Sequence, residues 1–361
     1  MNTFGELKAQ LKLSDTYENV EGLERLKTWC LHHVSSDRIV EGEPQAQYQH
    51  YIEFVRGYFD FFLKHKPSDL SQPVAEFQGL NSVQFAALNG YDHFLLNQVH
   101  EADPILNTPN AESDTPLHLS ASLGLVHTVE ALLKLKADPM IVNRYDTLPI
   151  HYALFLPDIQ LRPLKAGVAK ALLAYAPQTM NAKNGSGDSV CHLMILGDFN
   201  DLLENILLQS SPGAALLCNT NDHYPIHTAI LNGKLTAAKL LLNLDKVVTL
   251  ADSEGQIALH YIANYGASEL FERCCQMTQK VVGHLDVRDS NKKTPLMLAV
   301  EKGRLDMVKA FKEKGTNMNL VDAEGHTLID LADQSNQPEI KAWLLENTSL
   351  KPKPEHLHQQ I

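Results

Sequence analysis

Along the first 75 residues, apolar side chains recur at helical spacing. Tyr48, Tyr51, Ile52, Val55, Tyr58, Phe59 and Phe62 fall on one face of a predicted helix, and Val20, Leu23, Leu26, Trp29 and Cys30 follow the same rule. Further on, the pattern changes to short apolar runs, each opened by a similar tetrapeptide. Thr115-Pro116-Leu117-His118, Leu148-Pro149-Ile150-His151 and Tyr224-Pro225-Ile226-His227 are nearly alike. Ser189-Val190-Cys191-His192 and Ile257-Ala258-Leu259-His260 keep the histidine, whereas Thr294-Pro295-Leu296-Met297 and Thr327-Leu328-Ile329-Asp330 lose it. Asn81-Ser82-Val83-Gln84 is a weaker first copy. The last residues of these segments are separated by 34, 33, 41, 35, 33, 37 and 33 positions.

The agreement extends outside the tetrapeptide. Asp or Asn stands eight residues before the histidine position, at Asn110, Asn143, Asn184, Asn219, Asp252, Asp289 and Asp322. Glycine stands six residues after it, at Gly90, Gly124, Gly233, Gly266 and Gly303. Leucine-rich stretches such as 129–133 and 238–242 follow and predict a second helix. Each position has a physical reason. Thr or Ser can cap a helix start, and Pro suits the first helical position, where its missing N–H has no partner to lose. Glycine permits the left-handed conformation that ends a helix, and Asp or Asn favours a turn closed onto its own backbone.

A period near 33 with a Thr-Pro-Leu-His core resembles the ankyrin repeat. The resemblance covers about three quarters of the chain and implies an all-α ankyrin-repeat solenoid. Its seven or eight units would be helix-turn-helix repeats joined by β-hairpin loops, with an N-terminal helical cap domain. The implied organisation is a helical domain or cap over 1–75, repeats over 76–348 and a disordered tail over 349–361. Capping of an otherwise open repeat end is one reading of residues 1–75; a separate interaction module is the other. The 41-residue interval predicts a rigid loop around 156–163, with Pro157 and Pro163, and the 37-residue interval predicts a longer second helix between Ser268 and Val287. The first copy reads as a cap or transition unit and the last as a polar terminal cap.

Composition narrows the function. The chain has 361 residues, 44% hydrophobic and 20% charged, which fits an ordinary soluble globular protein. Its formal charge of −12 argues against a nucleic-acid backbone as ligand. No apolar run is long enough to span a membrane, and residues 1–8 lack the apolar region of a secretory signal. Five scattered cysteines do not form a disulfide framework and fit a reducing, cytoplasmic setting.

The 17 histidines invite a metal hypothesis. However, His118, His151, His192, His227 and His260 are repeat positions with a structural duty that the resemblance implies, namely a hydrogen bond to loop backbone. His32-His33 and His356/His358 lack the spacing of a zinc site, so neither metal nor cofactor is expected. The segment 185–189, Gly-Ser-Gly-Asp-Ser, has no following Lys-Ser/Thr and sits where a hairpin is due, which speaks against a phosphate loop. Cys30 near His32 and His33, and Cys274-Cys275, read as packing rather than catalysis.

The resemblance therefore implies a protein-binding module, working as a monomer and displaying a rigid surface on its concave face and hairpin tips. Carried onto this chain, the partner-binding positions are Arg144, Tyr145, Phe155, Leu156, Leu231, Asn232, Glu254, Asn264 and Tyr265. Irregular repeat lengths and a helical extension also resemble ankyrin effectors that intracellular bacteria deliver into host cells without a cleavable signal. The competing reading is an enzyme with its active site in residues 1–75 or in the insertion near Pro157, using the repeats to choose a substrate.

Overall fold

The computed structural model describes residues 70–72, 79–90, 92–155, 161–209 and 212–350. The expected cap over 1–75 lies almost wholly outside them, as do Leu156 and the tail beyond residue 350. Two compact units divide between Thr179 and Met180. Among the described residues, the first holds three helix pairs: α1 (Ser82–Asn89) with α2 (Asp92–Gln98), α3 (Pro116–Ser122) with α4 (Val126–Lys134), and α5 (Pro149–Leu154) with α6 (Arg162–Tyr175). The second holds five: α7 (Val190–Leu196) with α8 (Asn200–Gln209), α9 (Pro225–Leu231) with α10 (Leu235–Leu241), and α11 (Ala258–Tyr265) with α12 (Ser268–Val282). Then come α13 (Pro295–Glu301) with α14 (Leu305–Glu313), and α15 (Leu328–Gln334) with α16 (Pro338–Asn347). Within each unit, every first helix packs on the first helix of the next pair. The residue before the histidine position builds that contact. Val83, Leu117 and Ile150 in the first unit, and Cys191, Ile226, Leu259, Leu296 and Ile329 in the second, are all buried.

Each first helix is only six to eight residues long, so its unpaired N-terminal amides weigh heavily. The side chain three residues in reaches back to the amide of the capping residue. His118 Nδ1 accepts from Thr115 N–H at 3.1 Å, and His151 from Leu148 at 3.1 Å. His192, His227 and His260 accept in the same way from Ser189, Tyr224 and Ile257 at 3.2, 3.3 and 3.2 Å. With Nδ1 an acceptor, the proton sits on Nε2. His118 Nε2–H then donates to Thr147 O at 2.8 Å, His192 to His223 O at 2.9 Å and His260 to Lys293 O at 3.2 Å. Each of these carbonyls immediately precedes the capping residue of the following repeat, so the ring ties one repeat to the next. The copies without histidine keep part of the device. Gln84 Oε1 accepts from Asn81 N–H at 2.9 Å while its Nε2 donates to Thr108 O at 2.9 Å. Thr294 N–H donates to Met297 Sδ at 3.4 Å, and Thr327 N–H to Asp330 Oδ2 at 2.8 Å.

The loops follow the Asp/Asn register. Asn143 Oδ1, for example, accepts from Tyr145 N–H at 2.9 Å and Thr147 N–H at 3.2 Å, and Asp289 does the same for Asn291 and Lys293. The third residue after each of these is left-handed: Ser113, Asp146, Gly187, Asp222, Gly255, Lys292 and Gly325. The β-hairpin expectation needs trimming. These loops are tight turns, with one isolated antiparallel bridge, Lys183–Ser189, among the described residues. In the stretch 185–189, Gly187 lies where an added Cβ would stand 2.7 Å from Thr220 N. Close packing against the next turn therefore accounts for that glycine.

The 37-residue interval does lengthen the second helix, since α12 runs for 15 residues. In the other insertion, Pro163 lies in the first turn of α6, not in a loop, and 156–160 lie outside the described residues. That repeat has Pro157 in place of the terminating glycine. Lys165, 2% exposed, instead donates to Tyr152 O at 3.0 Å and to Phe155 O. It covers the carbonyl end of α5, where the helix dipole favours a cation. Burial lowers its pKa to about 8, which leaves it charged at neutral pH.

Two stability measurements test this account. His118→Gln should fold nearly as well as the parent, since Gln84 shows that an amide side chain at this position can accept from the capping N–H and donate to a backbone carbonyl of the following loop, whereas His118→Leu should cost about 1–3 kcal/mol by leaving a buried amide and carbonyl unpaired. Equal losses in urea melts would mean that the ring acts by packing alone. Gly187→Ala should destabilise clearly more than Gly233→Ala. Both residues have positive φ, but nothing lies within 4 Å of a Cβ at Gly233, so that variant carries only the left-handed strain of about 1 kcal/mol.

Candidate functional site

The expected binding positions are split between the two units. Arg144, Tyr145 and Phe155 belong to the first; Leu231, Asn232, Glu254, Asn264 and Tyr265 belong to the second. Leu156 lies outside the described residues.

In the first unit, Asn143 holds the turn that projects Arg144 and Tyr145. The Arg144 guanidinium sits over the Tyr145 ring, 4.9 Å from its centroid, and its Nη2–H donates to the phenol oxygen at 2.7 Å. Arg144 also pairs with Glu112 of the preceding turn, to which the Tyr145 hydroxyl donates at 3.4 Å. Tyr145 is therefore oriented yet 55% exposed. Phe155 follows the last residue of α5 and is 66% exposed; Lys165 anchors its carbonyl. Met140 and Val142, on the arm leading to the same turn, are also exposed. Sequence reasoning passed over them, although the apolar run Met140-Ile141-Val142 directly before the turn asparagine was the available signal.

Beneath this tip, Asn143 Nδ2 donates to Asp114 Oδ1 at 2.8 Å and to Tyr152 Oη at 3.0 Å. Burial, reinforced by the Asp114 carboxylate, pushes the Tyr152 phenol up to about 12. These groups fix the turn.

In the second unit, Leu231 ends α9 half-buried and Asn232 follows it exposed. Asn264 and Tyr265 end α11, with Asn264 half-buried and Tyr265 50% exposed. Gly266 closes that helix in the left-handed region. Arg304 of the next repeat lies over Gly266, 3.0–3.2 Å from where a Cβ would be, and donates to Tyr265 O at 3.4 Å. Glu254 stands exposed at its turn. Leu196 was missed. It occupies the position of Leu231 one repeat earlier, four residues after His192, and is 39% exposed. The register of the tetrapeptide would have found it.

Tyr265 continues a row of rings. It lies 6.2 Å from Tyr261, which stacks nearly parallel on His227 at 4.5 Å. The Tyr261 hydroxyl donates to Asp252 Oδ2 at 2.6 Å, and burial together with that bond raises its pKa. His227 departs from the repeat rule expected of it. Its Nε2 is buried and has no hydrogen-bond partner among the described residues. At His118 the neighbouring Tyr152 ring is edge-on, and Nε2 reaches its carbonyl. Burial depresses the His227 pKa from 6.5 to about 4, opposed by Asp252 and assisted by His223. His118, His192 and His260 are lowered for the same first reason. Cys191, Cys274 and Cys275 are buried in the packing layers, and their thiols are pushed up to about 12 by burial, which keeps them protonated and unreactive at neutral pH.

Comparison with known proteins agrees with this geometry. A family model described as "Ankyrin repeats (3 copies)" matches residues 271–354, and an "Ankyrin repeat" model matches 112–144. The structure of the ankyrin repeat domain of Bcl-3 superposes with a TM-score of 0.50 at 21% identity, covering 61% of this chain and 94% of that one. The transient receptor potential channel subfamily A member 1 of Drosophila melanogaster is 23% identical over 172 residues, covering 44% of this chain and 14% of the channel. The p105 subunit of nuclear factor NF-kappa-B from Gallus gallus is 26% identical over 187 residues, covering 50% and 19%. An ankyrin repeat protein of Rickettsia bellii (strain RML369-C) is 29% identical over 104 residues, covering 28% and 15%. The matched stretch spans less than a fifth of each of these relatives. The chain carries ankyrin repeats, and its fold is the ankyrin-repeat fold.

The histidine environments fix a pH response. A depressed pKa means that the unfolded chain takes up protons first as pH falls. Stability is therefore complete above about 6.5 and is lost on acidification toward about 4. In His227→Phe, the decline between those values should be shallower by about one proton, read from melts across pH. An unchanged slope would show that His227 is not held neutral.

Proposed function

We propose that this chain binds a protein partner on the exposed surface of its first helices and hairpin tips. Arg144, Tyr145 and Phe155 serve in the first unit, and Leu231, Asn232, Glu254, Asn264 and Tyr265 in the second. The observation that carries this reading is the exposure of Tyr145, Phe155 and Tyr265 on backbone that the fold itself holds rigid. Scattered exposed apolar residues are ordinary. These three occupy turn-tip and first-helix-end positions that face away from the neighbouring helix pairs, and aromatics with Arg dominate binding hot spots. A preformed surface loses little freedom on binding. The net charge of −12 makes a nucleic-acid backbone a poor ligand and keeps copies of the chain apart as monomers. The Rickettsia relative fits a bacterial setting, and on that reading the partner is a host protein. Buried free thiols at Cys191, Cys274 and Cys275 suit a reducing compartment such as cytoplasm.

Capture from a eukaryotic lysate, read by mass spectrometry, tests the reading. Tyr145→Ala with Phe155→Ala, or Leu231→Ala with Tyr265→Ala, should deplete the captured partner while melting stays nearly unchanged. Loss of a central anchor typically costs about 2 kcal/mol of binding. Undiminished capture by both double variants would falsify the surface assignment.

A further inference from the structure

The second unit divides its charge unevenly between its faces. First helices α7, α9 and α11 contain no Asp, Glu, Lys or Arg. Leu196 and Leu231 end the first two, each four residues after its histidine, and Tyr265 ends the third, five residues after His260; all three are exposed or half-exposed. The turns beside them, 184–189, 219–224, 252–257, 289–294 and 322–327, carry seven acidic side chains against two lysines, Lys292 and Lys293. Asp222, Glu254 and Glu324 are the exposed ones at the tips. The five second helices of the same unit hold eight acidic and six basic residues, close to balance. Several of these basic residues are committed to ion pairs, such as Lys239–Glu269 and Lys280–Asp245. The excess negative charge thus lies in the turns that lead into the first helices and not on the second helices; at the other end of the first helices, Lys234 is paired with Asp198 and Arg304 donates to Tyr265 O.

We infer that the second unit takes a basic segment of a protein partner, with a leucine or aromatic anchor seated along Leu196, Leu231 and Tyr265 and its Lys or Arg side chains facing the acidic turns. This rests on the reading above that the first-helix surface is the binding face. Two terms select the occupant. Uncharged helices offer apolar contact without stripping water from any fixed charge, which suits the centre of an interface. The acidic rim attracts a cationic segment and disfavours an anionic one, so charge sets partner choice and association rate. A second copy of this acidic chain is opposed by the same field.

Fluorescence anisotropy with the full chain and three labelled synthetic peptides tests the inference. One peptide combines Arg and Lys with Leu and Trp; the second replaces Arg and Lys by Glu; the third keeps Arg and Lys but replaces Leu and Trp by Ser. The first should bind at least about tenfold tighter than either other peptide and weaken with added salt. Glu254→Lys with Glu324→Lys should remove about tenfold of that affinity and move preference toward the acidic peptide. Leu231→Ser with Tyr265→Ser should remove it for both apolar peptides, with the melting curve retained in each variant. If the acidic peptide binds as well as the basic one and Leu231→Ser/Tyr265→Ser abolishes both, the charge inference is overturned while the first-helix reading stands. Equal binding of the Ser-substituted peptide would reduce the effect to charge attraction and overturn the anchor. Binding by none of the three would overturn the inference and leave the surface to the capture experiment. A dimer in sedimentation equilibrium that Tyr265→Ser dissolves would seat a second copy there and overturn it as well.

Discussion

The amide that opens each first helix is the constraint on which the stack depends. A helix of two turns cannot hold itself together in water, and its start lies against a neighbouring repeat, where an unpaired N–H is costly. The histidine three residues in answers both problems with one ring. Nδ1 takes the capping residue's amide, and Nε2–H reaches the carbonyl before the next repeat's cap. This requires one tautomer and a neutral ring; burial keeps the ring neutral at neutral pH, and the two hydrogen bonds select the tautomer. A cationic ring would turn Nδ1 from acceptor to donor and set it against the amide it serves. Local helix initiation and cohesion between repeats are therefore the same interaction.

The substitutes at that position follow its logic. Gln84 has an oxygen and an N–H at similar reach; it takes the capping amide and donates to Thr108 O in the following loop, instead of to the carbonyl next to the following cap. Asp330 is acceptor-only when ionised, and its carboxylate accepts from both the Thr327 amide and the Thr327 hydroxyl. Met297 gives only a long contact to sulfur, and there Thr294 compensates by accepting from Met297 N–H through its hydroxyl at 3.3 Å. His227 is the exception from the other side. It keeps the amide but lacks the second bond, and its ring lies flat on Tyr261.

Most of the fold was legible because its determinants are local. The turn asparagines and aspartates act on amides two and four residues away, and the glycines end helices through their own φ, so spacing along the chain predicts both. Asp198 and Asn336 fill the glycine position with positive φ where no glycine stands, a substitution that Asp and Asn tolerate better than other residues. What stayed hidden depends on neighbours in space. Lys165 lies thirteen and ten residues from the carbonyls it covers, and no repeat position announces it. The Glu112–Arg144–Tyr145 cluster joins two turns a full repeat apart. Of the candidate site, the positions were readable from the register, but the orientation of Tyr145 and the support of Tyr265 by Arg304 were not.

The same register separates residues that the stack needs from residues it leaves free. The position before the histidine and those two and three after it are small or apolar and buried almost throughout, because a neighbouring helix covers them. The position four after it is not covered in the same way, and its chemistry drifts along the second unit from Leu196 and Leu231 to Asn264, Glu301 and Gln334. Since the fold is equally well formed at Glu301 and Gln334, stacking does not demand an apolar residue there. Exposed Leu196 and half-buried Leu231 at that position, with exposed Tyr265 one residue further on in the third repeat, therefore add solvent-facing apolar area that stacking does not require. Water penalises such a strip by roughly 25 cal/mol per Å² for as long as it stays uncovered. On the proposed reading, burial against the bound partner is what offsets that penalty.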